Sequence, residues 1–440
     1  QEITMPLRAL VPVLLCLAIG CSGSSRDKPS PASLPPGSAH AASTQATAPA
    51  LGAPATAVSV SSVVPSPATS PLIAPASVPP GLGRGLRWTR TQSQFVSALS
   101  VSMGPPNAAE VDRYFDDFQA NAVHLWEDGL PLEIDGWRAA NRPDMRWLSW
   151  IHSDGTSQTN GLLLGGYPAN APGRIGYQIS DEPRSLAQLM AIHQGVNRVR
   201  AADPDALLVV NFSHLASDLT AQLDYFVTTM DADVVAYDDY RLGWKAYETL
   251  ARFRSVGLLA GKPYWRYLYS FIGGHQPVVD ESDMRWNAFV GLVYGYTGHT
   301  WFLYNAAPAH QLDPAFFPVT GSLGAPTVQF RYAAQINAEL ENLGRSITQL
   351  TSTDVRYVPL ISFIRPARTQ LWTPGAGNDP YLANVSSSAA DLALGFFVDS
   401  AGDTYLLAQN VNHRAGTFPV GNRNRTTLTL SFDFAGAPTS

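Results

Sequence analysis

The feature that most restricts the fold is a rhythm in the middle of the chain, where short apolar runs alternate with stretches of helical spacing. The runs are Phe95 to Met103, Ala122 to Trp126, Arg146 to His152, Arg174 to Ser180, Leu207 to Phe212, Asp233 to Tyr237, Pro263 to Phe271 and His299 to Tyr304. Several show little polar alternation, as strands buried on both faces of a parallel sheet require. Helical spacing joins Val111, Tyr114 and Phe118 within Ala108 to Ala120, and Leu186, Leu189, His193 and Val196 after Ser185. It returns around Lys245 to Arg254, in Glu281 to Tyr294 and from about Thr327 to Leu343. The stretch between His152 and Arg174 is loop-like, so a third helix is expected to be short or missing. Eight βα units over about 250 residues predict a (β/α)8 TIM barrel. A doubly wound sheet is the alternative, although Gly104-Pro105-Pro106 after the first run is not a Gly-rich phosphate loop.

Before this region the chain changes character. Met5 opens a segment with Arg8, an apolar run from Ala9 to Ile19, and Gly20-Cys21 at its end. The run is too short to span a bilayer and reads as a signal peptide over residues 1–21. Leu17-Ala18-Ile19-Gly20-Cys21 resembles the lipobox of bacterial lipoproteins, with Ala18 where that family usually has Leu. The resemblance implies lipidation of Cys21 and an exported protein held at the membrane or cell surface. An ordinary signal peptide cut nearby is the alternative. The chain has only two cysteines, Cys16 and Cys21. Removal of the signal would leave one, excluding an internal disulfide and any cysteine-based metal site. Residues 22–85 are rich in Pro, Ala, Ser and Thr and lack Phe, Tyr and Trp. Such a stretch buries too little apolar surface to offset its ordering entropy and is expected to be a disordered linker.

The barrel is assigned to residues 86–345. Beyond it, Phe396 to Val398 and Thr404 to Leu407 flank a turn at Asp399 to Asp403, and Thr426 to Phe434 alternates like another strand. Residues 346–440 are therefore read as a β-sandwich, incomplete if the protein ends soon after that strand. The formal net charge is −6 with no Lys/Arg-rich run, so nucleic acid is not an expected partner. The histidines lack metal-ligand spacing, and neither metal nor cofactor is expected. No Gly-x-Ser-x-Gly elbow stands at a strand end, against a serine esterase.

In a barrel the reacting groups come from the C-terminal strand ends. Those ends offer Trp126, Glu127 and Asp128; Trp150 and His152; Asp181 and Glu182; Asn211 and His214; Asp238 and Asp239; Trp265 and Tyr269; and Trp301 and Tyr304. Carboxyls beside aromatics and amides suit a sugar, since carboxyls supply acid, base or nucleophile and rings stack on pyranose faces. Period-2 alternation sets Ile175, Tyr177 and Ile179 toward the helices, and Gly176, Gln178, Ser180 and Glu182 toward the interior. Asp181 reaches the mouth only if the strand twists or bulges. Two adjacent carboxyls separate in pKa, favouring a protonated Glu182 as general acid. Capping of the next helix is the structural alternative for both. Trp126, Asp128, His152, Asn211, Asp239, Tyr269, Trp301 and Tyr304 are the expected carbohydrate contacts.

The segment Gly176 to Pro183, with its Asp181-Glu182-Pro183, resembles the Asp-Glu-Pro signature of barrel glycoside hydrolases. Asp203-Pro204, Gly261 to Trp265 and Gly298 to Phe302 extend the likeness. Among such families it is similar to that of β-N-acetylgalactosaminidases with adjacent catalytic Asp and Glu (glycoside hydrolase family 123). That resemblance implies substrate-assisted retention, the acetamido group attacking the anomeric carbon while Asp181 orients it and Glu182 protonates the leaving oxygen. Arg266 to Ile272 contains no carboxylate, unlike barrels with a nucleophile on strand seven. Asp238 or Asp239 is the other candidate for a second carboxylate. A non-catalytic carbohydrate-binding surface lipoprotein on the same barrel is the competing reading.

Overall fold

The computed structural model describes residues 81–100, 106–126, 142, 145–156, 161–270, 272–273, 281–306, 312–313, 317–318, 326–359, 366, 368–374, 382–387, 391–411 and 428–432. The signal segment, nearly all of the linker, Cys21, Glu127 and Asp128 lie outside the described residues.

Eight parallel strands close into a barrel in chain order. They are β1 (Phe95–Ser100), β2 (Val123–Leu125), β3 (Trp147–Ile151), β4 (Arg174–Ile179), β5 (Leu207–Ser213), β6 (Val234–Asp238), β7 (Tyr264–Tyr269) and β8 (Gly298–Phe302). The ring closes where β1 pairs with β8, Phe95 opposite Gly298. Every residue of β3, β5, β6 and β7 is buried, which is why those runs read as apolar without a clear period of two.

Helices cover the outside: α1 (Arg84–Arg90), α2 (Ala108–Asp112), α3 (Leu186–Ala202), α4 (Leu219–Thr229), α5 (Trp244–Ala260), α6 (Glu281–Val293) and α7 (Val328–Ile347). A capping box starts α2: Asn107 Oδ1 accepts from the Glu110 backbone N–H, and the Glu110 carboxylate accepts from that of Asn107. The helix runs on as a π-helical turn over Arg113–Asp117. Ser185 caps α3, its hydroxyl accepting from the Gln188 N–H. Among the described residues between β3 and β4 the one helical element is a 3-10 turn, Leu164–Gly166, in keeping with the loop-like sequence there. The sequence reading did not include α1 and α4. The second begins without a side-chain cap and buries a polar residue, Gln222, which blurs its pattern. Among the described residues no helix is long and apolar enough to cross a membrane.

The N-terminal end of the barrel is shut by aromatic packing. Trp265 of β7 stacks on Phe95 of β1 at 4.2 Å between centroids, and Trp88 of α1 lies 5.9 Å from Trp265. A Cβ on Gly298 would sit 2.4 Å from the Trp265 ring, so only glycine leaves room for the indole. Ile175 joins this interior layer with Leu148, Leu207 and Val209. That corrects the expectation for Ile175. The β3–β4 register slips between Trp147/Arg174 and Leu148/Gly176, and the extra residue in β4 reverses its alternation there. Asp233 clamps the same end, accepting from Arg84 at 3.0 Å, from Arg200, and from the Leu208 N–H at 2.9 Å.

Past α7 stand a four-stranded sheet and a separate pair. The sheet runs β10 (Gln370–Leu371), β9 (Thr351–Val358), β12 (Leu392–Val398), β13 (Thr404–Asn410); the pair is β11 (Leu382–Ser387) with β14 (Leu428–Phe432). The expected hairpin is β12–β13, with Asp399 Oδ1 accepting from the Ala401 and Asp403 N–H groups in its turn. Alternation in β12 divides its side chains between two cores. Leu392, Leu394 and Phe396 face a cluster shared with Leu382 and Val385 of the pair. Ala393 and Phe397 join the core that holds Phe289, Val290 and Val293 of α6. Gly395 permits that approach, since a Cβ there would lie 2.2 Å from the Val293 carbonyl. The apolar core thus runs unbroken from barrel to sheet.

Candidate active site

At the C-terminal mouth three neighbouring strands bring Asp181, Glu182, Asn211 and Asp238 together. The end of β4 breaks regular strand geometry: φ is 61° at Ser180 and 41° at Glu182. Left-handed backbone at non-glycine residues costs of order 1–3 kcal/mol each and concentrates at functional sites. Here it cancels the period of two. Asp181, which regular alternation turned outward, points inward. Its Oδ1 accepts from Gln178 Nε2 at 2.9 Å and from Asn211 Nδ2 at 2.8 Å.

Asn211 Nδ2 donates its other hydrogen to Asp238 Oδ1 at 2.6 Å, and the Tyr240 hydroxyl donates to Asp238 Oδ2 at 2.9 Å. One amide therefore holds both aspartates. Behind Gln178 the Tyr267 hydroxyl donates to Gln178 Oε1 at 2.7 Å and lies 3.3 Å from His124 Nδ1. A hydrogen-bonded chain thus crosses the barrel interior from β2 through β7, β4 and β5 to β6.

The electrostatics follow from burial. Burial pushes the Asp181 carboxyl up to about 7; the charge of Glu182 adds to the shift, and hydrogen bonds from Asn211 and Gln178 restrain it. Burial, then the charges of Asp181 and Glu182, hold Asp238 well above the usual carboxylate range. Both aspartates are thus shifted toward the protonated form. The sequence argument favoured a protonated Glu182; burial raises the two aspartates beside it. Glu182 raises Asp181, Asp238 and Tyr267 alike, so its charge is felt across the site. No hydrogen bond from a described residue restrains its carboxylate. Burial raises Tyr240 and Tyr267, which stay neutral O–H donors, and lowers His124 to about 3, which stays uncharged.

Aromatic rings form one wall. Trp126 and Trp150 lie nearly parallel at 5.5 Å, His152 meets Trp150 edge-on at 5.5 Å, and Phe302 stands edge-on to Trp126 at 6.5 Å. Trp126 remains partly exposed. Across from them Tyr240 lies 5.6 Å from Phe302 and 6.3 Å from Tyr269. Tyr269 is buried in the helix-facing core, one ring behind Tyr240.

Three more of the expected contacts lie elsewhere. Trp301 is fully buried on the outer face of β8 and donates from Nε1 to Asn337 Oδ1 of α7 at 2.7 Å. Alternation in β8 turns Thr300 and Phe302 inward, and so turns Trp301 out. Tyr304 packs against Tyr114 and Phe118 beneath the π-helical turn. Asp239 points away from the mouth, paired with Arg241 at 2.6 Å and 3.8 Å from His214 Nε2. Trp265, also offered at a strand end, plugs the opposite end of the barrel. The sequence reading gave no role to Gln178, Tyr240, Tyr267 or His124. For Gln178 the signal was available, a lone amide on the inward set of β4.

No family model matches this sequence, and no curated protein does. Among solved structures the chain is similar to β-galactosidase from the psychrophilic Marinomonas ef1, at 11% identity over 57% of this chain and 60% of that one, TM-score 0.43. It is similar to β-galactosidase from Bacillus circulans sp. alkalophilus, at 11% identity over 59% and 57%, TM-score 0.44. A third is Saccharomyces cerevisiae Gas2p in complex with laminaritetraose and laminaripentaose, at 10% identity over 53% and 60%, TM-score 0.40. The matched part is less than two thirds of each of those chains. Likeness this distant carries no functional argument, so the reading below rests on the residues themselves.

Proposed function

We propose that the protein is a glycoside hydrolase acting on an oligo- or polysaccharide, with Glu182 as general acid/base. The observation that carries this reading is the meeting of three carboxyls at the barrel mouth, two of them fixed by one amide, beside the Trp126–Trp150 wall. Glycosidic cleavage needs a proton delivered to the leaving oxygen and negative charge or a nucleophile near the anomeric carbon. Glu182 is the carboxyl of the three that no described residue hydrogen-bonds. Asp181 and Asp238 share one nitrogen, too close for the roughly 6.5–9.5 Å that an inverting pair needs for its water. Asp238, buried and with both carboxyl oxygens already accepting hydrogen bonds, is a poor nucleophile. This supports the substrate as nucleophile, an acetamido sugar whose amide Asp181 orients, as the Asp-Glu-Pro resemblance implies. The lipobox-like segment supports display at the cell surface through lipid on Cys21.

The test is a hydrolysis screen of the purified protein and its Glu182→Gln variant on aryl glycosides and polysaccharides, with acetamido sugars included. Cleavage of an acetamido glycoside, lost in the variant, is the expected result. Glycan binding without cleavage, equal in both proteins, would establish the carbohydrate-binding reading and end the assignment of Glu182.

A further inference from the structure

Asp181 is held asymmetrically. Its Oδ1 takes two hydrogen bonds, from Gln178 Nε2 and Asn211 Nδ2, while no described residue bonds its Oδ2. A carboxyl oxygen already accepting two donors has no lone pair left in which to carry a hydrogen outward. A proton on Asp181 must therefore sit on Oδ2, the oxygen left for a ligand at the mouth.

What makes Oδ1 an acceptor is the direction of the Gln178 amide, and Tyr267 sets that direction. Its only hydrogen goes to Gln178 Oε1, so the oxygen end of the amide faces Tyr267 and the NH2 end faces Asp181. The contact of the Tyr267 oxygen with His124 then requires the hydrogen on His124 Nδ1, consistent with a neutral imidazole. Reversing the amide would set Oε1 against Asp181 Oδ1 and deprive the Tyr267 hydroxyl of its acceptor on Gln178.

We propose that Gln178, its amide oriented by Tyr267, is a positioning residue that saturates Oδ1 of Asp181 and so determines that Oδ2 is the oxygen presented to substrate. This deepens the hydrolase reading and rests on it only for the identity of the ligand. With Oδ2 protonated, Asp181 offers a hydrogen to an acceptor on the substrate; once ionised, it accepts from an N–H or O–H. Gln178 and Tyr267 contact Asp181 and each other, not the reacting atoms, so their effect on turnover passes through Asp181.

The experiment is a titration of Asp181 in the full-length protein by isotope-edited infrared difference spectroscopy, with Asp181→Asn to assign the carboxyl band. Gln178→Met removes one donor to the ionised form, so its midpoint should rise by roughly one pH unit. Tyr267→Phe removes a single oxygen and leaves the Gln178 amide free to rotate, so it should raise the midpoint by less, in the same direction. Gln178→Glu places an acceptor where the donor stood and should raise it most. The acid limb of the pH–rate profile should move with these midpoints on any glycoside the protein cleaves. A merely structural role lowers amplitude or melting temperature and leaves the midpoint in place. Unmoved midpoints in the folded Gln178→Met and Tyr267→Phe proteins would overturn the proposal. So would an Asp181→Asn protein that retains the titration. A protein that cleaves no glycoside but shows the shifted midpoints refutes the hydrolase reading and leaves this one standing.

Discussion

At one end of the barrel Trp88, Phe95 and Trp265 pack ring on ring over a glycine, and Asp233 meets two arginines and a backbone N–H. At the other, Asp181, Glu182 and Asp238 crowd together with an amide and two tyrosines, and no described arginine or lysine pairs with them. The strands are the same strands, so their ends set the difference. At the closed end the buried Asp233 carboxylate meets opposite charge. The open end leaves like charges facing one another and holds Ser180 and Glu182 in left-handed backbone. Stability is built in at the first end and given up at the second, as expected where a scaffold carries a strained site.

The comparison can be broken most sharply at the open end. Glu182→Gln should lower kcat/KM on a cleaved glycoside by about 10²–10⁴-fold, the contribution of a positioned general acid, with the melting temperature nearly unchanged. At the closed end the effect should be the reverse. Trp265→Ala empties the plug and should cost about 3–5 kcal/mol in denaturant unfolding, while the fraction that stays folded keeps its activity. If that variant loses activity in proportion to a changed site rather than to unfolding, the two ends are not independent.

A third prediction concerns pH. Asp181 is raised from 3.8 to about 7, so the folded state binds its proton more tightly than the unfolded state. The stability this provides is fully present below about pH 3.8 and is lost as pH rises toward 7, with no further loss above. Asp181→Asn should remove that slope. The variant should be more stable than the parent by about 1–2 kcal/mol at pH 8, a figure reduced from the full linkage value because the residue is partly exposed. The advantage should vanish near pH 4, read from urea midpoints at both pH values. The smallest effect belongs to Arg84→Ala. Arg200 still pairs with Asp233 there, so the loss should stay below about 1 kcal/mol.

The same contrast explains what could be read from sequence. All eight barrel strands were legible because strands covered on both sides become apolar runs, and the carboxyls of the candidate site were legible as strand-end residues. Side-chain direction was not legible where the backbone departs from regular form. A slipped register turned Ile175 inward, and left-handed Ser180 turned Asp181 inward; neither leaves a mark in residue type. Trp301 and Tyr304 were misplaced for another reason. Both faces of β8 carry aromatics, and only the small residues Gly298 and Thr300 in line with Phe302 mark its inner side. The helix α1 is too short for its period to stand out beside the Pro/Ala-rich stretch before it. No local pattern announces that β12 faces two cores at once.

The pairing of β1 with β8 also bears on how the molecule comes into being. Partners such as Phe95 and Gly298 are separated by about 200 residues of chain, so the ring cannot close until nearly the whole barrel has been made. Until then β1 and β7 are unprotected sheet edges, and the apolar rings that later form the plug have nothing to rest on. Contacts this distant in sequence slow folding and lengthen the time in which such edges can pair with another chain. Trp265 and Gly298 therefore matter twice: in the finished protein as its seal, and during synthesis as the last pieces whose arrival ends the period of greatest risk.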